Sequence, residues 1–213
     1  MSVIILESDK EIVDKINEAL IERLNEVFFD RAKTVKELVR SNVLDILRGE
    51  DTFSSLLNGD LVGEFGFPKD SSKRLEAILA KIGESLVMTF YPFKYKNNKI
   101  TGGYKFAMIK SDFSDIIKMT EAIVQTEKGV GLPWLEWLLT YGDSVIFTDY
   151  KIVFKSAGRS GMATMVPSKT TGWRVPKEYS GTITNNWITR AIDAWIKKLE
   201  EILAKELRGM KWE

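Results

Sequence analysis

Carboxylates, lysines and hydroxyls are the reactive side chains of this 213-residue chain, because it contains neither histidine nor cysteine. Ser/His and Cys/His nucleophiles, a histidine general base, and thiolate or imidazole metal sites are therefore excluded. Chemistry by a carboxylate, a lysine or a hard metal ion stays open, and so does the absence of catalysis. We favour a protein that is not an enzyme, with no catalytic residue, no cofactor and no metal site.

One short motif has the residue types of a metal-dependent nuclease. Asp149, Tyr150 and Lys151 match half of such a site, in which two carboxylates hold a divalent cation and a lysine steadies the attacking water. The second carboxylate must come from a neighbouring strand, and Asp143 lies too close in sequence to supply it. Asp-Tyr-Lys is also typical of a hairpin turn, so the nuclease is kept only as an alternative.

Two further groups of residues have side chains of types that could do chemistry. Glu64 and Glu136 are of the type that glycan hydrolases use in pairs, but nothing in the sequence fixes their separation. The stretch Gly158–Gly161 is too short to be a phosphate-binding loop and predicts a turn. Arg159 within it would then be able to reach a carboxylate on a neighbouring chain. Neither group predicts catalysis.

The charge of the chain is nearly balanced. Lys and Arg total 31 against 30 Asp and Glu, which gives a net charge of +1. A dedicated duplex-binding protein usually carries excess positive charge, which is missing here, although folding can still gather a local basic rim. No apolar run approaches the roughly 20 residues that span a bilayer, and Met1–Leu6 lacks the features of a signal peptide. We therefore expect no membrane association.

A long helical segment is predicted at the N-terminus. Ser8 and Glu11 form a capping box, and an apolar stripe at helical spacing follows it. The stripe consists of Ile12, Val13, Ile16, Leu20, Leu24, Val27 and Phe28. A second capping box at Thr34 and Glu37 leaves open one long helix or a helix pair. The stripe predicts packing in the core or, for part of it, contact with another subunit.

The middle of the chain combines a loop, a helix and a hairpin. The glycine-bearing residues 51–68 predict an ordered loop, and Ser71 or Ser72 can cap the helix after it. Residues 86–91 and 104–109 predict a β-hairpin. The bend of this hairpin interleaves basic and aromatic residues, namely Lys94, Tyr95, Lys96 and Lys99. This pattern suits a nucleic-acid backbone or an acidic neighbour, and it also suits a solvated strand edge protected by lysines.

A short helix and several strands are predicted next. Residues 131–139 begin with a proline suited to a first helical turn, and their apolar side chains cannot all face one side. One tryptophan of this helix is therefore expected near a subunit contact or at the rim of the core. Residues 145–147 and 151–154 predict a second hairpin, and residues 162–166 a further strand.

The chain closes with a strongly amphipathic helix. Its apolar stripe consists of Ile188, Ile192, Trp195, Ile196, Leu199, Ile202 and Leu203. Thr184, Asn185 or Asn186 can cap its start with a side-chain oxygen, and Gly209 can end it in the left-handed conformation. One face of this helix is expected to be buried.

These elements together predict an α+β fold. Long N- and C-terminal helices are expected to pack on a small antiparallel or mixed β-sheet of about five strands. Residues 1–50 are predicted to form an N-terminal helical segment and residues 51–213 an α+β core that includes the C-terminal helix. A chain of this length can bury a sizeable core without disulfides, so we expect one structural domain overall.

Several stretches resemble the neck and tail-completion proteins, the head–tail connectors of large tailed bacteriophages. They are LPWLEWLLTYGDSVIFTDYKIVF from Leu132, GRSGMATMV from Gly158, GWRVPKEYSGT from Gly172 and NNWITRAI from Asn185, with SLLNGDLVGEFGFP from Ser55 in addition. The order of elements is also similar: a long N-terminal helix, a small antiparallel sheet, a loop with proline and glycine, and a C-terminal helix.

The resemblance implies a virion structural protein at the head–tail junction, assembled in the host cytoplasm, which joins the portal side of the capsid to the tail. Its partners would be copies of itself in a hexameric or dodecameric ring, the portal-side connector and tail proteins, with passive contact with packaged DNA in the lumen and no membrane. Such a ring needs heterologous contacts that close on themselves. A tail terminator, a baseplate component and a metal-dependent virion nuclease are the alternatives.

The assembly interface is predicted at large aromatic and bidentate basic residues. Tryptophan and arginine are enriched in interfaces, because the indole buries a large rigid area and the guanidinium binds carboxylates with two hydrogen bonds. The predicted interface residues are Trp134, Trp137, Arg159, Trp173, Arg174 and Trp187.

Overall fold

The computed structural model describes residues 8–68, 71–97, 99–108, 112–156 and 158–208. Helices and small antiparallel sheets make up these residues, which confirms the α+β class. The helices are α1 (Asp9–Arg48), α2 (Asp51–Asn58), α3 (Asp60–Glu64), α4 (Ser71–Glu84), α5 (Trp134–Thr140) and α6 (Trp187–Arg208), with a 3₁₀ turn at Thr120–Ala122. The strands are β1 (Val87–Lys96), β2 (Lys99–Ala107), β3 (Val124–Gln125), β4 (Gly131–Leu132), β5 (Tyr150–Phe154) and β6 (Ala163–Pro167). None of the described helices is both long and apolar enough to cross a membrane.

The chain divides into two compact units. Unit 1 contains the described part of Met1–Leu38 together with Val87–Ala107, and unit 2 contains the described parts of Val39–Leu86 and Met108–Glu213. This division differs from the predicted boundary after residue 50, because the β1–β2 hairpin belongs with the first part of α1. The capping box predicted at Thr34 does not interrupt α1, since residues inside a helix already have backbone partners.

Unit 1 is built from the first part of α1 and the hairpin. The capping box at its start is confirmed: the Ser8 N–H donates to the Glu11 carboxylate at 2.8 Å, and the Glu11 N–H donates to the Ser8 hydroxyl at 3.3 Å. The hairpin packs its aromatic face on Phe28 of α1, whose ring centroid lies 4.7 Å from that of Phe93 and 5.4 Å from that of Tyr104. The predicted hairpin is therefore confirmed, with longer strands than expected.

Unit 2 has helices α2 and α3 where an ordered loop was predicted. Phe53 and Leu56 are spaced for one helical face, and both are buried. The glycines in this stretch do not prevent the helices: Gly63 lies within α3, and the other two lie at helix ends. Gly59 lies between α2 and α3, where a Cβ would come within 2.8 Å of the Ser55 Cα, and Gly66 follows α3 with a φ of +61°. The loop prediction was wrong because the helical spacing of the apolar residues outweighs the glycines.

The strands form three separate two-stranded antiparallel sheets in the described residues, rather than one sheet of about five strands. The predicted hairpin of residues 145–147 with 151–154 is also absent from them. Phe147 instead pairs with Trp173, whose N–H donates to the Phe147 carbonyl at 2.8 Å, and β5 pairs with β6. The hydrogen bonds of Phe147 are therefore already used. The strand predicted at residues 162–166 is confirmed as β6.

Asn186 caps the C-terminal helix α6. Its Oδ1 accepts from the N–H groups of Ile188 and Thr189, each at 3.1 Å. One of the three predicted capping residues is thus confirmed in that role. The predicted C-terminal cap at Gly209 and the interpretation of Met1–Leu6 lie outside the described residues.

Candidate assembly surfaces

The four tryptophans predicted at an assembly interface are buried inside unit 2. The ring centroid of Trp173 lies 5.7 Å from that of Trp137, and the centroid of Trp134 lies 4.7 Å from that of Phe67. Trp187 is 1% exposed at the start of α6. The structure places these four indoles in the core of the chain itself, where they leave little surface for a second chain. An interface role for them stays a prediction.

Part-buried hydrogen bonds orient two of these indoles. The Nε1–H of Trp173 donates to Oε2 of Glu64 at 2.6 Å, and that of Trp134 donates to the Glu121 carbonyl at 2.9 Å. Burial raises the pKa of the Glu64 carboxyl above its ordinary value, although the hydrogen bond from Trp173 opposes this shift. The structure thus gives Glu64 a structural partner. Glu136 lies half-exposed on α5.

Arg159 ties its own turn to two other backbone segments of unit 2, residues 65–66 and Gln125. Its guanidinium donates to the carbonyl of Gly66 at 2.6 Å, of Gln125 at 3.0 Å and of Phe65 at 3.3 Å. The positive φ of Gly66 and the close approach of the guanidinium both favour glycine there, since a Cβ would lie 2.7 Å from Nη2. Arg159 was predicted to reach a carboxylate on a neighbouring chain. It uses its donors within its own chain instead.

Arg174 is exposed, unlike the predicted tryptophans. It makes one long hydrogen bond, from Nη1 to the Asp143 carbonyl at 3.4 Å. The side chain of Asp143 pairs with Lys177 at 3.5 Å. An interface role for Arg174 stays a prediction.

The nuclease motif lies at a turn. Asp149 has a φ of +61°, and Tyr150 begins β5 directly after it. Lys151 is exposed. In the part of the chain that the structure describes, no group of three or more acidic residues is arranged to hold a metal ion. The motif therefore has the geometry of a turn that starts a strand.

An open groove of about 600 Å³ in unit 2 lies between β5, β6 and the end of α3. Its lining includes apolar residues such as Val130, Phe147 and Ile152, with the carboxylate of Glu64 among them. A second carboxylate, that of Glu127, and the cations of Lys128 and Arg159 also line the groove, so its wall is apolar with charged groups of both signs. Of the residues named as candidates for chemistry or assembly from the sequence, Glu64, Tyr150 and Arg159 line this groove.

The first three turns of α1 expose an apolar stripe in unit 1. Val13 is 51% exposed, Ile16 60% and Leu20 44%. Further along the same helix Phe28 is buried against the hairpin. The exposed stripe, defined by Val13, Ile16 and Leu20, is the part of the predicted stripe that could contact another subunit. The sequence shows the stripe but not which of its residues are buried, because the residues that pack on it, such as Phe93, lie about 70 positions away in the sequence.

Comparison with known proteins gives no relative for this chain: no family model, curated protein or solved structure matches it.

Proposed function

We propose that this chain is a non-enzymatic assembly protein of the virion, a neck or tail-completion subunit at the head–tail junction of a tailed bacteriophage. It would form a hexameric or dodecameric ring with copies of itself and join the portal-side connector to tail proteins. Packaged DNA would pass through the ring. Tail-terminator and baseplate stations remain the alternatives within the virion.

The exposed stripe of α1 is the observation that carries the assembly role. Three large apolar side chains follow one another at helical spacing on a helix that begins with a well-formed cap. Exposed single apolar residues are ordinary, but a stripe on one face of a helix is typical of a surface that another chain covers. A second copy of the chain is the partner that a ring requires.

The sequence resemblance supports the choice of station. The most specific of the resembling stretches contribute to the core of unit 2 rather than to a cluster of reactive side chains. LPWLEW contains Trp134 and Trp137, GWRVP contains Trp173, and NNWITRAI contains the capping residue Asn186. A stable scaffold that presents helices to neighbours fits a structural station in a particle. The resemblance itself, and not the fold, points to the head–tail junction.

The mass of the purified chain in solution tests the ring. Light scattering after size exclusion should give a hexamer or dodecamer, and Ile16→Glu should reduce it to smaller species because a charge enters the stripe. Lys15→Gln is the matched control: it makes the net charge more negative by the same one unit at an exposed position, at least about 100° around the helix from every residue of the stripe. Equal masses for both variants would show that the stripe does not hold the ring together.

Two further measurements test the nuclease alternative and the position of the protein in the virion. A monomer that cleaves DNA with magnesium would favour the metal-dependent nuclease. Gold-labelled antibody against the chain should bind intact particles at the junction of head and tail. Label at the far end of the tail would instead favour a baseplate protein.

A further inference from the structure

The β1–β2 hairpin of unit 1 has two chemically different faces. One face consists mainly of aromatic and other apolar residues, and it packs on α1 through contacts such as Phe28 with Phe93 and Tyr104. The other face is set by the strand register, which pairs Thr89 with Lys105, Lys94 with Thr101 and Lys96 with Lys99. We call this second face the basic face; it consists of Val87, Thr89, Tyr91, Lys94, Lys96, Lys99, Thr101, Gly103, Lys105 and Ala107.

The basic face carries hydrogen-bond donors and no acidic side chain. Residues 87–107 contain four lysines and neither aspartate nor glutamate. All four lysines are exposed, and no described residue forms an ion pair with any of them. The hydroxyls of Thr89, Tyr91 and Thr101 lie on the same face. Lysine ammonium groups and hydroxyls are the side-chain groups that bind phosphate oxygens without reading bases.

We propose that the basic face of the hairpin binds the phosphate backbone of duplex DNA. Successive lysines on one strand, such as Lys94 and Lys96, are two residues apart, or about 6.6 Å, close to twice the about 3.4 Å axial spacing of phosphates along one DNA strand. Lys99 lies opposite Lys96 on the paired strand, so the tip carries a pair of ammonium groups side by side. The charge density of the face complements a polyanion.

The shape of the face favours duplex DNA over other nucleic acids. A two-stranded ribbon fits the major groove of B-form DNA, which is about 12 Å wide, whereas the major groove of duplex RNA is too narrow for side chains to enter. Single-strand binders stack bases on exposed aromatic rings. Here the rings of Phe90, Phe93 and Tyr104 lie on the opposite face, in contact with one another or with Phe28, and Tyr91 is the single aromatic residue of the basic face, too few to stack successive bases. The binding is expected to be independent of base sequence.

The near-neutral net charge of +1 does not argue against this inference, because the charges are unevenly placed. Asp14, Glu18 and Glu22 lie on α1, where they line a groove beside Lys94 and Tyr95. The acidic residues of unit 1 are thus on the helix, and the hairpin itself has none. A global count hides a local basic surface of this kind.

Fluorescence anisotropy with a labelled 20-base-pair duplex tests the proposal. Four lysine contacts predict that the logarithm of the binding constant falls with the logarithm of salt with a slope of about −3.6. Replacing Lys94, Lys96, Lys99 and Lys105 with Gln should weaken binding at low salt at least about tenfold and bring the slope towards zero. Replacing the same four with Arg should preserve binding, because the charge stays.

The matched control replaces four exposed lysines of unit 2 with Gln, namely Lys151, Lys169, Lys197 and Lys198. Both Gln variants have the same net charge, so only the position of the lost charges differs. Circular dichroism and the melting temperature establish that each variant is folded. The control should bind DNA as the wild type does.

Several outcomes would overturn the proposal: no binding of duplex DNA by the wild type at low salt, equal loss in both Gln variants, or tighter binding of a single strand. Competition with polyglutamate tests for an acidic protein partner. DNA should compete at least about tenfold better per charge because its phosphates condense more counterions. Equal competition would assign the face to an acidic protein instead. The mass measurement of the ring is independent of each result, so failure here leaves the proposed function to its own test.

Discussion

The side chain of Asn25 on α1 hydrogen-bonds both backbone polar groups of Phe93 on β1. The Phe93 N–H donates to Oδ1 at 2.6 Å, and Nδ2 donates to the Phe93 carbonyl at 3.2 Å. Phe93 lies at a β-bulge, where the register between β1 and β2 shifts between Tyr91 and Lys94 and the ladder leaves backbone groups without strand partners. One amide therefore satisfies the irregular point of the hairpin and fixes its position on α1.

Replacing Asn25 with Ala should destabilise unit 1. Both backbone groups of Phe93 would lose their partner in a partly buried position, at a cost of about 1–3 kcal/mol. Urea unfolding followed by circular dichroism measures the change. Asn17→Ala is the control: Asn17 is a half-exposed asparagine on the same helix, so it corrects for the higher helix propensity of alanine. Equal stability of the two variants would mean that the bulge does not depend on Asn25.

The raised pKa of Glu64 predicts a pH-dependent stability. Burial raises the pKa of this carboxyl in the folded state above its ordinary value, so the folded protein binds more protons than the unfolded chain between those two values. The contribution of Glu64 to stability is therefore most favourable at pH values below the pKa of this carboxyl in the unfolded chain. It falls as the pH rises from there through the pKa of the folded state. Glu64→Gln keeps an oxygen acceptor for Trp173 and removes the titration.

Thermal unfolding of the wild type and Glu64→Gln from pH 4 to pH 8 tests this sign. The wild type should lose stability relative to the variant as pH increases. Glu136→Gln, at a half-exposed glutamate of the same unit, controls for the loss of a charge. A difference between wild type and Glu64→Gln that is constant over the whole range would contradict the assignment.

Truncation of the Trp187 side chain should cause a large loss of stability. The indole is 1% exposed at the start of α6, so Trp187→Ala leaves a cavity at a cost on the order of 3 kcal/mol. Its Nε1–H has no hydrogen-bond partner among the described residues. Trp187→Phe removes that donor and retains most of the ring, so it should cost clearly less. Denaturant unfolding measures both variants, and an unchanged midpoint for Trp187→Ala would place the indole outside the core.

The local signals in the sequence predicted the elements of this fold better than their partners. The capping box at Ser8 and Glu11, the hairpin and the helix cap at Asn186 depend on residues a few positions apart, and the structure has all three. The pairing of Phe147 with Trp173 joins residues far apart in sequence. Strand propensity alone does not choose between such a partner and the next strand along the chain.

The same limit applies to the candidate interface residues. Tryptophans at element ends suit an interface and a core equally from the sequence, and burial of Trp134 and Trp173 by Phe65 depends on the turn after α3. The three carbonyl partners of Arg159 come from segments that no spacing rule connects. The lysines of the hairpin were visible in the sequence, but the register was needed to place Lys105 on the face of the other three.

Arg159 should not be replaceable by lysine. Its planar guanidinium donates to three carbonyls in different directions, whereas an ammonium on a flexible stem cannot reach all three. We expect Arg159→Lys to cost about 0.5–1.5 kcal/mol in urea unfolding, because two of the three hydrogen bonds are exposed to water. Both arginines are exposed, but Arg174 makes one long hydrogen bond, so Arg174→Lys should stay within about 0.5 kcal/mol of the wild type. Similar losses of stability at both positions would show that the three hydrogen bonds of Arg159 do not give it a larger contribution to stability than Arg174.

Asn186 combines a helix cap with two buried donors. Its Oδ1 accepts from Ile188 and Thr189, and its Nδ2 donates to the carbonyls of Thr182 at 2.9 Å and Leu139 at 3.3 Å. The residue is fully buried. Gly181 makes room for it, since a Cβ there would lie 2.4 Å from the Asn186 Cβ. The side chain thus joins the end of α5, the loop before α6 and the first turn of α6.

Two substitutions separate these roles. Asn186→Ala should cost more than the about 0.5–2 kcal/mol of an ordinary cap, because the Leu139 carbonyl also loses a donor in a buried hydrogen bond. Asn186→Asp retains the acceptors for Ile188 and Thr189 but turns an oxygen towards the two carbonyls, so it should be destabilised at neutral pH and recover partly in acid, where a protonated carboxyl can donate. Asn185→Ala, at an exposed position, is the control. If Asn186→Asp is as stable as the wild type at pH 7, the donors do not hold α5 to α6, and the cap alone accounts for the residue.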